Sequence, residues 1–146
     1  MIKSIKVMLL PNNKQKTKLF QYANTARFAY NWAIAREQDN YKSGGKFISD
    51  NDLRKEFTQL KKQDEFQWLN QISNNVTKQA IKDACNTYKR FFKGQCKYPK
   101  FKSKKNNYRS FQVPQGTILL DKMLSIPKFR EGIKIKLHRA FEGTIK

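Results

Sequence analysis

The order of apolar and polar positions divides the chain into one strand, three helices and a second group of strands. Residues 2–10 are rich in strand-forming side chains and partly alternate, and Pro11 ends this run. After Asn12 or Asn13, either of which can cap a helix, apolar residues recur at helical spacing until the glycines at 44–45. Because these apolar positions cover more of the helix surface than a single stripe, the first helix is predicted to pack on two sides.

Two more helices are predicted between residues 49 and 93. Ser49, followed three residues later by Asp52, resembles a capping box and begins the second helix. The buried face of this helix is predicted to contain Leu53, Phe57 and Leu60. After an apolar connector, the third helix spans residues 73–93 and ends at Gly94. Its inward side chains are predicted to be Val76, Ala80, Ala84, Tyr88, Phe91 and Phe92.

From residue 108 onward the apolar period changes from helical to alternating, with Gly, Pro or Asp turns between short segments. Antiparallel strands are predicted at residues 110–113, 117–120, 123–126 and 133–137. Since a lone N-terminal strand needs partners, we expect it to join this C-terminal sheet. The predicted fold class is therefore α+β, with the helices inserted into a β module. Its segments are a first strand at 1–11, helices at 12–94, a basic linker at 95–107 and the remaining strands at 108–146.

Composition supports a folded domain and changes the picture mainly through charge. The chain has 146 residues, of which 38% are hydrophobic and 13% aromatic, so disorder throughout is excluded. It carries 31 Lys and Arg against 11 Asp and Glu, a formal charge of +20. Residues 84–120 contain basic side chains and no acidic one. This excess favours a polyanionic partner, with nucleic acid ahead of an anionic membrane.

The chain is poor in catalytic and metal-binding chemistry. Cys85 and Cys96 have only the distant His138 beside them, so they are expected to be reduced thiols rather than zinc ligands. The acids after residue 83 have no spacing that forces a metal site. No catalytic residue, metal or cofactor is predicted. With no membrane-length apolar run and no export signal, we expect a cytoplasmic protein with no membrane partner.

Three features indicate nucleic-acid contact. A lysine row, Lys78, Lys82, Lys89 and Lys93, follows one face of the third helix and is either a solvated face or a phosphate-binding face. Asn74 and Asn75 occupy its first turn, where they either cap the helix or meet phosphates and base edges. Residues 97–105 interleave lysines with flat rings and are either a simple basic linker or a nucleic-acid-binding segment.

Eight short strings follow one another along the chain: RFAYNWA at 27–33, GKF at 45–47, LRKEF at 53–57, WL at 68–69, AIKDA at 80–84, YKRFFK at 88–93, PKFK at 99–102 and SF at 110–111. In this order and spacing they resemble the N-terminal part of the TnpB family of transposon-encoded RNA-guided DNA endonucleases. The resemblance implies a wedge-type antiparallel β-barrel module interrupted by a three-helix, helix-turn-helix-like recognition insertion. It also implies two partners, a guide RNA and double-stranded DNA with a short adjacent motif.

The resemblance assigns candidate residues to each partner. For the DNA motif they are Asp50, Arg54, Asn74, Asn75, Lys78 and Gln112. For RNA and phosphate they are Arg27, Lys82, Lys89, Arg90, Lys100, Lys102, Lys104 and Lys105.

Members of the family also have a nuclease half with RuvC-like catalytic carboxylates and a cysteine-ligated zinc element, and neither occurs among these residues. Divalent metal and zinc are therefore expected only in that nuclease half. We therefore expect a cytoplasmic, nucleoid-associated protein of a bacterium or mobile element that binds nucleic acid without cutting it alone. The alternative is a freestanding helix-turn-helix DNA-binding regulator that uses no guide RNA. A third possibility, a nuclease in its own right, requires divalent-ion-dependent cleavage by this polypeptide.

Overall fold

Three α-helices, one 3₁₀ helix and four short strands make up the fold. The computed structural model describes residues 4, 6–105, 109–114, 117–120 and 122–137, and every structural statement below concerns these. The elements are β1 (Val7–Leu10), α1 (Asn13–Lys42), α2 (Asp50–Leu60), a 3₁₀ helix (Asp64–Gln71), α3 (Asn74–Phe92), β2 (Ile118–Leu120), β3 (Met123–Ser125) and β4 (Ile133–Leu137).

Helix α1 begins and ends where the sequence predicts. Asn12 Oδ1 accepts a hydrogen bond from the Gln15 amide at 2.8 Å, and Gln15 Oε1 accepts one from the Asn12 amide at 3.0 Å, a complete capping box. At the other end Gly44 has φ +75°, a left-handed conformation that glycine adopts without a steric penalty. Phe28 and Trp32 of α1 pack against Phe57 of α2, whereas Tyr30 contacts Thr87 of α3, which confirms the predicted packing on two sides.

Helices α2 and α3 confirm most of the predicted core positions. Ser49 Oγ caps α2 by accepting from the Asp52 amide at 3.2 Å. Leu53 and Phe57 are buried in α2, and Val76, Ala80, Ala84 and Tyr88 are buried in α3, whereas Leu60 and Phe91 are half-buried. The inward orientation predicted for Phe92 is wrong. The last turn of α3 extends past the core, so this ring lies half-exposed against Phe47.

The strands form one antiparallel sheet in the order β1-β4-β3-β2. Strand β1 pairs with β4, with Val7 opposite Leu137 and Leu10 opposite Lys134, which confirms that the N-terminal strand joins the C-terminal sheet. The strand predicted at 110–113 is wrong, because this segment packs on α1 instead of joining the sheet. Within the described ranges the four strands leave β1 and β2 as sheet edges. Residues 1–3, 5 and 108 and His138, also named in the predictions, lie outside those ranges.

Sheet and helices share one core through the turn between β3 and β4. Ile126 and Ile133 are buried in the same cluster as the helical side chains. The Tyr22 hydroxyl donates to the Pro127 carbonyl at 2.6 Å, and Lys128 Nζ donates to the Asn70 carbonyl at 2.7 Å. The sheet is therefore fixed to the beginning of α1 and to the segment before α3.

None of the helices described is long and apolar enough to cross a membrane.

Candidate nucleic-acid interface

The described residues of the segment after α3 run back over the helices and contact them at several points. Helices α1 and α3 point the same way, since Tyr30 meets Thr87 and Tyr41 meets Phe92 further along both. The segment then passes these helices in the opposite direction, with Tyr98 near Tyr41 and later residues near the middle and the beginning of α1. We call residues 97–113 the return segment, of which 97–105 and 109–113 are described.

One asparagine holds the middle of the return segment. Asn31 on α1 donates from Nδ2 to the Lys102 carbonyl at 2.9 Å and accepts at Oδ1 from the Lys102 amide at 2.8 Å. The Lys102 ammonium lies 4.1 Å from the centre of the Tyr30 ring, a cation–π contact. Phe111 then packs edge-on against Tyr22 with ring centres 5.3 Å apart. The region predicted as a basic linker is therefore a docked part of the surface.

The lysine row of α3 is exposed and has few acidic neighbours. Lys78, Lys82, Lys89 and Lys93 are all exposed, as is Arg90. Asp83, the acid within α3, accepts from Gln79 Nε2 at 2.9 Å. The ion pairs within the described ranges join Arg36 to Glu56, Arg54 to Asp50 and Lys55 to Asp52. These pairs lie on α1 and α2, so the α3 row remains unneutralised.

A cleft of about 530 Å³ lies between α1, α3 and the return segment, and we call it the α1–α3 cleft. Its floor is apolar and includes Ala23, Ala26 and Ala80. Cationic and amide side chains from three parts of the chain line its walls, together with the Asp83 carboxylate. Among them are Arg27, Gln79, Lys102, Lys104, Arg109 and Gln112.

A second cleft of about 500 Å³ lies between α2 and the first turns of α3, and we call it the α2–α3 cleft. Arg54, Asn74 and Lys78 line it together. Asp50 lies 3.8 Å from the Arg54 guanidinium, which is half-buried and whose Nε has no hydrogen-bond partner among the described atoms. The arrangement offers donors and cations to a ligand that enters from solvent.

The candidate residues thus divide between three places. Asp50, Arg54, Asn74 and Lys78 lie at the α2–α3 cleft, whereas Gln112 lies at the α1–α3 cleft with Arg27, Lys102 and Lys104. Asn75 follows Asn74 in the first turn of α3 and is half-buried. The remaining candidates lie exposed on α3 or on the return segment. They are Lys82, Lys89, Arg90, Lys100 and Lys105.

The structure adds residues that the sequence argument missed. Lys61 lines the α2–α3 cleft, contacts Asn74 Oδ1 and lies 5.6 Å from the centre of the Phe57 ring. Burial, together with the nearby Lys128 charge, lowers its pKa. Lys61 directly follows the last residue of α2 and continues its helical conformation, so its position seven residues after Arg54 places it on the same side as Arg54, a signal that could have found it. Arg109, over the Phe20 ring at 4.8 Å, was missed because it contacts α1 only in the folded chain.

The described residues contain no group of three or more His, Cys, Asp or Glu side chains placed to hold a metal ion. Both cysteines are free thiols. Burial, with a smaller effect of the Glu37 charge, raises the pKa of Cys85 to about 12, so this thiol is unreactive at neutral pH. Asp121, His138 and Glu142 lie outside the described ranges.

Comparison with known proteins agrees with the resemblance noted in the sequence. Residues 1–46 match a family model described as a helix-turn-helix domain, of the OrfB_IS605 type. In the structure this span holds β1 and α1, and α2 begins beyond it.

Two relatives extend the comparison beyond that span. InsQ of Escherichia coli (strain K12), named "Putative RNA-guided DNA endonuclease", is 30% identical over 118 residues, which is 81% of this chain and 29% of that protein. A protein of Paramecium bursaria Chlorella virus 1, named "Putative transposase", is 29% identical over 99 residues, which is 62% of this chain and 22% of that protein. The chain spans less than a third of either relative. Together with the strings noted in the sequence, these matches relate the chain to the TnpB family over the part of the relatives that it spans.

Proposed function

We propose that this chain is the nucleic-acid recognition part of a TnpB-type RNA-guided DNA endonuclease. It holds a guide RNA on the cationic surface formed by α3 and the return segment. It recognises a short duplex DNA motif at the α2–α3 cleft. The observation that supports this proposal most is that the lysines of α3 and of the return segment are exposed and lie outside the ion pairs of the described residues.

Counterion release gives this surface a measurable signature. Each lysine that neutralises a phosphate contributes about one unit to the slope of log affinity against log salt concentration. A variant with Lys100, Lys102, Lys104 and Lys105 changed to Ala should therefore bind RNA more weakly and with a flatter salt dependence. The loss is about one unit of slope for each contact removed.

A matched control removes the same charge from a different surface. Changing Lys6, Lys14, Lys134 and Lys136 to Ala also removes four exposed cations, at the sheet and the beginning of α1. We expect this control to keep the parent's salt slope. Equal slopes for both variants would mean that only net charge matters, and the return segment would then not be the RNA-binding surface. Thermal melting of each variant checks that it is folded.

Motif recognition is tested at the α2–α3 cleft. Lys78→Ala should change the preference among short duplex motifs by about 1–3 kcal/mol if the side chain contacts a base edge. Lys62→Ala, an exposed lysine outside the residues that line the cleft, is the control. Equal weakening on every duplex sequence would make Lys78 a phosphate contact instead.

The same proposal includes the finer architecture that the resemblance implies. We propose that the four-stranded sheet belongs to a wedge-type barrel. The boundaries at residues 11, 94 and 107 would separate its first strand, the recognition insertion, the basic linker at 95–107 and the remaining strands. The chain is then a binding module, and we expect no divalent-ion-dependent cleavage of DNA or RNA by these 146 residues.

The helix-turn-helix family match favours one alternative, a DNA-binding regulator that uses no guide RNA. RNA that co-purifies with the protein distinguishes the two functions. A guide-dependent module should carry a defined structured transcript. A regulator should carry none and should bind duplex DNA equally well after ribonuclease treatment.

A further inference from the structure

An exposed aromatic patch lies where α1 and α3 end, away from both clefts. Its rings come from the last turns of the two helices, the loop after α1 and the beginning of the return segment. They are Tyr41, Phe47, Phe92 and Tyr98, which we call the distal aromatic patch. Tyr41 is 52% exposed, Phe92 50% and Tyr98 37%, although large rings are ordinarily buried.

The four rings are contiguous. Ring centres are 5.8 Å apart for Phe47 and Phe92, 6.2 Å for Tyr41 and Phe92, and 6.3 Å for Tyr41 and Tyr98. Buried Tyr88 supports the patch from below, with its hydroxyl 3.4 Å from the Tyr98 hydroxyl and its ring 6.0 Å from that of Phe92. The patch is therefore a fixed surface rather than a set of independent side chains.

Every ring of the patch has a lysine beside it in the chain. Lys42 follows Tyr41, Lys46 precedes Phe47, Lys93 follows Phe92 and Lys97 precedes Tyr98. All four lysines are exposed, and none takes part in an ion pair within the described ranges. Asp39, one half-turn before Tyr41, is the acid nearest to it in sequence.

We infer that the distal aromatic patch binds unpaired nucleotides of a single strand, with bases stacked on the exposed rings and phosphates near the lysines. Flat rings interleaved with cations are the shared feature of surfaces that bind single strands without sequence preference. A duplex keeps its base faces stacked on each other, so it cannot use such rings in the same way. An apolar protein partner would not be favoured by the surrounding cations. This inference rests on the proposed nucleic-acid binding and adds the state of the strand that is bound.

Tyr41 gives the sharpest test because most of its ring is in solvent. Tyr41→Ala should weaken binding of a single-stranded RNA of about 10 nucleotides roughly tenfold, the effect of losing one stacked base. The salt slope should stay the same, since no cation is removed. Tyr41→Phe should bind like the parent, because stacking needs the ring and not the hydroxyl. A blunt RNA duplex of the same length should bind parent and variant equally.

Trp68→Ala is the matched control, since Trp68 is 43% exposed, lies on the 3₁₀ helix and lines neither cleft. It should leave single-strand binding unchanged. The inference is wrong if Tyr41→Ala binds the single strand like the parent, if it weakens duplex binding equally, or if Trp68→Ala has the same effect. If the four-lysine variant loses salt slope but Tyr41→Ala binds like the parent, only this inference is rejected. If both variants bind like the parent, the proposed function is rejected as well.

A second measurement uses the unmodified protein and so does not depend on variant folding. Ultraviolet crosslinking of the same single-stranded RNA, followed by peptide mass spectrometry, should place crosslinks on peptides that contain Tyr41, Phe92 or Tyr98. Crosslinks confined to other peptides would overturn the inference.

Discussion

Glu37 is a buried carboxyl group whose ionisation should control stability near neutral pH. It lies on α1 and is only 2% exposed. Its Oε2 accepts from the Ile48 amide at 3.3 Å, whereas Oε1 has no hydrogen-bond partner among the described atoms. Burial raises its pKa from 4.5 to about 7, against smaller lowering effects of the Ile48 hydrogen bond and the Arg36 charge. The folded protein therefore prefers this group to be neutral.

The size of the effect follows from the difference between the folded and unfolded pKa. A rise from 4.5 to about 7, at about 1.4 kcal/mol per unit, gives an upper limit of about 3 kcal/mol. Because the pKa is raised on folding, the protonated group costs nothing below the unfolded pKa. The penalty grows as pH rises towards 7 and is complete above it. Glu37→Gln, which is neutral at every pH, removes the penalty where it exists.

Urea unfolding at about pH 5 and about pH 8 measures this difference. We expect the free energy of unfolding of Glu37→Gln to exceed that of the parent by up to about 3 kcal/mol at the higher pH, and by much less at the lower pH. Asp39→Asn removes the same charge from an exposed position of the same helix and is the control. The argument from burial would be refuted if the difference in free energy of unfolding between Glu37→Gln and the parent were equal at both pH values. It would also be refuted if Asp39→Asn gave the same difference.

Two further variants test how the parts of the fold are joined. Asn31→Ala removes both hydrogen bonds to Lys102. We expect the free energy of unfolding in urea to fall by about 1–3 kcal/mol and hydrogen exchange at the Lys102 amide to become faster. Unchanged exchange would show that other contacts hold the return segment. Tyr22→Phe removes the hydroxyl that donates to the Pro127 carbonyl and should cost about 1 kcal/mol in thermal or urea unfolding, whereas a neutral result would mean that solvent satisfies this carbonyl.

Much of the fold is local enough to be predicted from the sequence. The Asn12 cap, the glycines after α1 and the alternation in β4 each depend on a few neighbouring residues, and each is confirmed. The pairing of β1 with β4 followed from a general rule, since an isolated strand is not stable.

The errors come from what alternation and helical period leave unspecified. At 110–113 the apolar residues do alternate, and Phe111 is half-buried. Alternation indicates one buried face but not what covers it, and here the cover is Tyr22 on α1 rather than a strand. Helical period likewise places Phe92 on the inner face of α3 without showing that the core ends one turn earlier.

The sequence predicts which residues belong to the candidate site but not how they are placed relative to one another. The lysines of α3 and the basic segment after it are evident in the sequence. The docking of that segment on α1 is not, because it depends on Asn31, more than sixty residues before the residue that it binds. The separation of Gln112 from Arg54 and Lys78 was equally hidden, because it depends on the path of the return segment across α1.

The docking of the return segment also has an electrostatic consequence. It brings Lys102 and Lys104 into the same cleft as Arg27, in a chain of formal charge +20, so like charges are concentrated where few acids offset them. Salt screens this repulsion and should stabilise the free protein, yet the same salt weakens attraction to a polyanion. Nucleic acid bound as proposed would relieve the repulsion directly, and it would stabilise the folded state by an amount that rises with the logarithm of its concentration relative to its Kd. Folding of this surface and binding by it are therefore linked through the same lysines.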